Sequence, residues 1–247
     1  MPRDILTLAC EPADRRLSYG PDALQFIDFR FAPHPSALVV HFHGGFWRNR
    51  FDLLHAGHFC GALTAAGFTT ANVEYRRVGD AGGGWPGTLD DAVAALRFAR
   101  GQVPGVPAMV TGHSAGGHIA LWLAVEQSDL TGAVALAPVA CLIEAWELNL
   151  GTGAVEEFLG ASPKQDPQRY AAACPSLRPS AVPRILIHGT ADEVVPLPVS
   201  RHYLEARAAD PVRLIELAGA DHFDAIDPRS PRCAGVIETI RKLSSGA

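Results

Sequence analysis

The sequence predicts an α/β fold: a mostly parallel central sheet with helices on both faces, formed as one domain over residues 1–247. Three observations carry that expectation. Strand-like and helix-like segments alternate along most of the chain, the order that a parallel sheet with crossover helices requires. Two strand-like runs, at 37–42 and 108–111, are short, β-rich and almost continuously apolar, as strands buried on both faces are. And 247 residues, of which 48% are hydrophobic and 19% charged, suffice to close one large core.

After an irregular start, residues 24–31 alternate apolar and polar positions as a half-buried edge strand does, and the buried strand 37–42 follows. Leu53, Leu54, Phe59 and Leu63 recur at roughly helical spacing, so 52–66 is read as a helix stopped by Gly67. The pattern then repeats as strand 68–75, helix 89–100, strand 108–111, helix 115–127 and strand 133–137. Residues 138–182 break the rhythm, with prolines at 163, 167, 175 and 179 and only short apolar clusters, and are read as a small cap-like insertion over the sheet. Regular order returns with strand 184–188, helix 199–209, strand 213–217 and helix 233–243.

Composition narrows the function classes. A net charge of −5 with both signs mixed along the chain leaves no basic stripe for nucleic acid or an anionic membrane surface. Five cysteines, odd in number and without CxxC spacing, argue against a disulfide framework or a structural zinc site. The charged N-terminal stretch lacks the apolar run of a signal peptide, and no segment reaches the ~18 apolar residues of a membrane span. A cytoplasmic protein, monomeric or homodimeric, is expected.

The strongest chemical signal is Gly112-His113-Ser114-Ala115-Gly116, a G-x-S-x-G placed between a buried strand and a helix. The flanking glycines allow a sharp turn that presents the serine hydroxyl at the end of the strand. His43-Gly44-Gly45-Phe46-Trp47 follows the strand 37–42, where backbone N–H groups freed of side-chain bulk can face a developing oxyanion. The N–H groups of Gly45, Gly44 and Ala115 are the candidate donors. Asp192, in the loop after strand 184–188, and His222, after strand 213–217, supply a carboxylate and an imidazole; Glu193 and Asp221 are rivals for the carboxylate role. Ser114, Asp192 and His222 then stand in the order serine, acid, base, separated by 78 and 30 residues. His41 and His43 alternate on one strand but lack a third ligand at short spacing, so no metal is expected. Phe46, Trp47 and Phe223, beside these motifs, are candidate substrate contacts, and the insertion 138–182 is expected to help set substrate choice.

These motifs resemble the α/β-hydrolase superfamily over about four fifths of the chain, from His43 to the C-terminal helix. HGGFW with GHSAGGH is similar to the branch holding small carboxylesterases, hormone-sensitive-lipase relatives and arylformamidases. The resemblance implies a serine hydrolase that cleaves small carboxylic esters through an acyl-enzyme and needs no cofactor. Hydrolysis of a formamide such as N-formylkynurenine is the alternative, and a noncatalytic ligand-binding protein on this fold is a second. Val73-Glu74-Tyr75-Arg76-Arg77 followed by Trp85-Pro86 also looks like the family pattern, which implies that Arg76 pairs with Asp90 or Asp91. Arg-Val-Gly-Asp at 77–80 departs from the Leu-Ala-Pro-Glu common in lipase-type relatives, and their long N-terminal cap helices are missing, which favours small substrates.

Overall fold

The computed structural model describes residues 5–8 and 10–246. Eight described strands form one sheet in the order β1 (Arg15–Ser18), β2 (Phe26–Arg30), β4 (Thr69–Val73), β3 (Leu38–Phe42), β5 (Ala108–His113), β6 (Ala133–Leu136), β7 (Arg184–Gly189) and β8 (Val212–Leu217). β2 runs antiparallel to both β1 and β4, and every later pairing is parallel. Helix α1 (Gly57–Ala65) follows β3, α2 (Gly87–Gln102) follows β4, α3 (Ala115–Glu126) follows β5, α7 (Pro198–Ala206) follows β7 and α8 (Pro231–Ser244) follows β8.

Alternate side chains of the central strands feed two cores, one on each face. Val40 and Phe42 of β3 with Val110 of β5 pack with Leu89, Ala92 and Leu96 of α2 and Ile119, Leu121 and Leu123 of α3. Val39 and Met109, one position along, pack with Phe59 and Leu63 of α1 and Val236 and Ile240 of α8. Helices on both sides of each strand therefore explain why these strands read as apolar runs rather than as alternating ones.

The segment read as an edge strand is interior. β2 lies between β1 and β4, and the edge is β1, whose Arg-Arg-Leu-Ser has no apolar rhythm because three of its four residues are exposed. The helix read at 52–66 begins as a 3-10 turn, Leu53–Ala56, where the Asp52 carboxylate accepts from Leu54 N at 2.9 Å, and becomes regular only in α1.

The insertion contains three short helices, α4 (Leu142–Glu147), α5 (Ala154–Leu159) and α6 (Pro167–Ala173), the last capped by Asp166 with proline at its first position. It docks on α3: His118 Nε2 donates to Ala173 O at 2.9 Å and Trp122 Nε1 to Ala172 O at 3.0 Å. Among the described residues no helix is long and apolar enough to cross a membrane.

Candidate active site

The sheet order brings the motifs together. β3 and β5 are neighbours with Phe42 opposite Gly112, so the chain segments leaving both strands, His43 onward and Ser114 onward, emerge side by side. β7 and β8 are paired up to Gly189 opposite Leu217, and the loops that follow carry Asp192 and His222 to the same end of the sheet.

Ser114 holds φ 56° and ψ −118°, a conformation that costs a non-glycine residue roughly 1–3 kcal/mol unless its surroundings fix it. They do: its N–H donates to Leu136 O at 2.8 Å, and its carbonyl accepts from His118 N and Val139 N, both at 3.2 Å. The flanking glycines are required by space. A Cβ on Gly116 would lie 2.0 Å from Phe42 O, and one on Gly112 2.0 Å from Gly116 O. The turn at Ser114 is thus pressed against the end of β3, and Gly44 packs less tightly beside it, where a Cβ would meet Ser114 Cβ at 3.0 Å.

A buried polar network fixes the loop from His43 to Trp47. His43 Nε2 lies 3.2 Å from Glu74 Oε1 and its Nδ1 2.7 Å from Gly44 O, while Tyr75 stacks on its ring at 4.4 Å and donates its hydroxyl to His43 O. Arg77 reaches Glu74 at 3.0 Å and also donates to Phe51 O, and Leu53 N donates to the other Glu74 oxygen. Burial alone would raise the Glu74 carboxyl, but His43 and Arg77 hold it below its usual value. His43 is therefore committed to the loop. His41 bonds Thr111 Oγ1 at 2.8 Å, and burial lowers it to about 3. Among the described residues no group of three or more histidine, cysteine or acidic side chains is arranged to hold a metal ion.

Phe46 and Trp47 both have positive φ, and the turn sends them in different directions. Phe46 lines the cavity; Trp47 is fully buried, stacked on Phe158 of α5 at 4.6 Å. The expectation that Trp47 touches substrate is not met by this geometry: its large apolar surface joins the insertion to the loop instead. The N–H groups of Gly45 and Ala115 enter no backbone hydrogen bond among the described residues, and Ala115 opens α3, where the helix end adds positive potential.

Asp192 Oδ1 accepts from Val194 N and Val195 N, both at 2.9 Å, and Oδ2 accepts from His222 Nδ1 at 2.7 Å. His188 Nε2 lies 3.2 Å from Oδ2 and 2.8 Å from Val195 O, while its Nδ1 bonds Ser200. Burial would raise the Asp192 carboxyl, but the hydrogen bonds from His188 and His222 hold it well below the usual carboxylate range. With Nδ1 of His222 bound to Asp192, the nitrogen left for proton transfer is Nε2. His113, the variable residue of the serine motif, donates its Nε2–H to His222 O at 2.8 Å, and its ring lies 4.6 Å from the His222 ring in a tilted contact. The described residues form no hydrogen bond to the Ser114 hydroxyl; such contacts commonly tighten only around bound substrate.

Ser114, His222, Gly45, Phe46 and Phe223 share one cavity of about 150 Å³ with Leu6, Arg50, Phe51, His55, His113 and Val194. A cavity of roughly that volume accommodates a benzene ring. No residue of the insertion 138–182 is among these; its Gly151 lies against the ring of Phe46, which does line the cavity. Arg50, Phe51 and His55 escaped sequence reading because a loop arginine and a histidine within a helical run carry no periodic signal. His188 had one: it opens the segment His-Gly-Thr-Ala-Asp four positions before Asp192. The partner of Arg76 is Asp91, held bidentately through Nε at 2.9 Å and Nη2 at 2.6 Å, with Gln25 on the same carboxylate.

Comparison with known proteins agrees with this architecture. Versiconal hemiacetal acetate esterase of Aspergillus parasiticus is 31% identical over 107 residues, covering 40% of this chain and 33% of that protein, so the chain matches about a third of that relative's length. Among solved structures, a truncated carbohydrate esterase from gut microbiota superposes with a TM-score of 0.82 at 18% identity, covering 95% of this chain and 98% of that one. Butyrate-bound esterase 2 of Thermogutta terrifontis superposes with a TM-score of 0.73 at 22% identity, covering 94% and 93%. The sheet and helices are those of an α/β-hydrolase fold. The BD-FAE family model matches residues 31–206, most of the chain, and this protein belongs to the BD-FAE family.

Proposed function

We propose that the protein is a serine esterase acting on small carboxylic esters through an acyl-enzyme. The observation that carries this reading is the Asp192–His222 pair at 2.7 Å, whose imidazole lines the cavity that the strained Ser114 also lines. In this mechanism Ser114 Oγ attacks the ester carbonyl while His222 Nε2 takes its proton. Asp192 holds the proton on Nδ1 and stabilises the imidazolium that forms. The N–H groups of Gly45 and Ala115 receive the oxyanion, the contribution worth about 2.7–4 kcal/mol per donor where one has been removed. His222 then protonates the leaving alcohol, and water repeats the sequence on the acyl-enzyme.

The cavity's size and apolar walls suit a short acyl chain or one aryl ring, and a named acetate esterase among the relatives supports a small ester. A cytoplasmic monomer or homodimer goes with this reading; all five cysteines are free, which fits a reducing compartment.

The test is hydrolysis of p-nitrophenyl acetate, butyrate and octanoate beside N-formylkynurenine, by wild type and Ser114→Ala, with fluorophosphonate labelling of both. Short esters should turn over only with Ser114 present, and the probe should mark only wild type. Preference for the formamide would move the assignment to arylformamidase. Equal labelling of both proteins, or no turnover at all, would overturn the proposal.

A further inference from the structure

We infer that Arg50 determines specificity at this site, favouring esters that carry a carboxylate near the scissile bond. The inference rests on the serine-esterase reading. Among the described residues lining the cavity, Arg50 is the only one with a permanent charge. Leu6, Phe46, Phe51, Val194 and Phe223 are apolar. The two further imidazoles are neutral at pH 7, because burial pushes His55 down to about 3 and His113 well below its ordinary value.

The guanidinium is placed rather than free-floating. It lies over the Phe51 ring, 5.0 Å from the centroid, and Phe51 packs on the oxyanion loop so tightly that a Cβ on Gly45 would meet Phe51 Cβ at 2.6 Å. The cation is thus tied through one aromatic ring to the residue that offers an oxyanion donor. Neighbouring arginines are already committed: Arg48 to Glu157 at 2.6 Å, and Arg77 to Glu74 at 3.0 Å and Asp80 at 3.3 Å. Arg50 has no ion pair or side-chain hydrogen bond among the described residues, so its donors are open to a ligand.

A planar, permanently charged fork matches a carboxylate bidentately. The chain as a whole is negative, at −5, and repels anions at long range, so any preference for an anionic ester has to come from a local cation such as this one. Arg50 is exposed, which limits the effect. Its removal should cost roughly five- to tenfold in discrimination.

Two substrate pairs test this and show which side of the ester is read: p-nitrophenyl hydrogen adipate against p-nitrophenyl hexanoate for the acyl side, and meta-acetoxybenzoate against meta-acetoxybenzamide for the alcohol side. The readout is the anionic-to-neutral ratio of kcat/KM in wild type and Arg50→Gln. The ratio should fall by roughly five- to tenfold in at least one pair. In wild type it should also fall as salt is raised, and in the variant, where only the long-range repulsion by the negative chain remains to be screened, it should not fall. An unchanged ratio in both pairs, with the neutral esters still hydrolysed in a Ser114-dependent way, overturns this inference and leaves the esterase reading standing. Failure to hydrolyse even the neutral esters removes that reading and this inference with it.

Discussion

Replacing Asp192 by asparagine keeps the side chain's shape and removes the one property the site uses. In the native arrangement one carboxylate oxygen accepts from two backbone N–H groups, Val194 and Val195 at 2.9 Å, and the other from His222 Nδ1 at 2.7 Å. Asparagine has a single acceptor. The backbone donors cannot invert, so its carbonyl stays with them and its amide N–H₂ turns toward His222 and His188. A donor facing Nδ1 selects the tautomer with the proton on Nε2, which points a hydrogen at the Ser114 hydroxyl and abolishes the base. The expected loss is about four decades in kcat, close to 5 kcal/mol at 1.36 kcal/mol per decade. Initial rates on p-nitrophenyl acetate for wild type, Asp192→Asn and Ser114→Ala, with melting curves on all three, measure it. A well-folded Asp192→Asn enzyme within about tenfold of wild type would refute the assignment of Asp192 as the orienting carboxylate.

Three further outcomes are expected. Burial holds His41 and His55 near 3 and His118 near 4, all below the unfolded value of about 6.5, so the unfolded chain binds more protons in acid. Their contribution is complete above about pH 6.5 and is lost as pH falls toward 3–4, at up to about 1.4 kcal/mol per group per pH unit; circular dichroism should show acid unfolding beginning below pH 6, and a fold intact at pH 3 would contradict it. Gly116→Ala, whose Cβ would meet Phe42 O at 2.0 Å, should lose at least about 3 kcal/mol, a drop of about 10 °C in Tm, and a smaller shift would mean that the elbow is less tightly pressed to β3. Trp47→Ala should cost about 3–5 kcal/mol in urea unfolding, whereas Phe46→Ala should chiefly change KM for esters; the reverse pattern would put Trp47 in the cavity.

What the sequence determined by itself is what depends on local chemistry and period. The strand–helix alternation declared a parallel sheet because strands buried on both faces read as apolar runs. The glycines around Ser114 marked a turn that no bulkier residue can make, and motifs each placed just after a strand could be expected at one end of the sheet. The tertiary structure alone decided what depends on direction and on distant neighbours. It made β2 interior by adding an edge strand too polar and too short to show a pattern, and it chose Asp91 over Asp90 for Arg76 through the phase of α2. It turned Phe46 into the cavity and Trp47 into the core through two consecutive positive φ angles, and it brought Arg50 and His55, just past the His43–Trp47 motif, to the cavity that Ser114 and His222 line. Spacing along a sequence fixes which residues share an element; only packing fixes which way each of them faces.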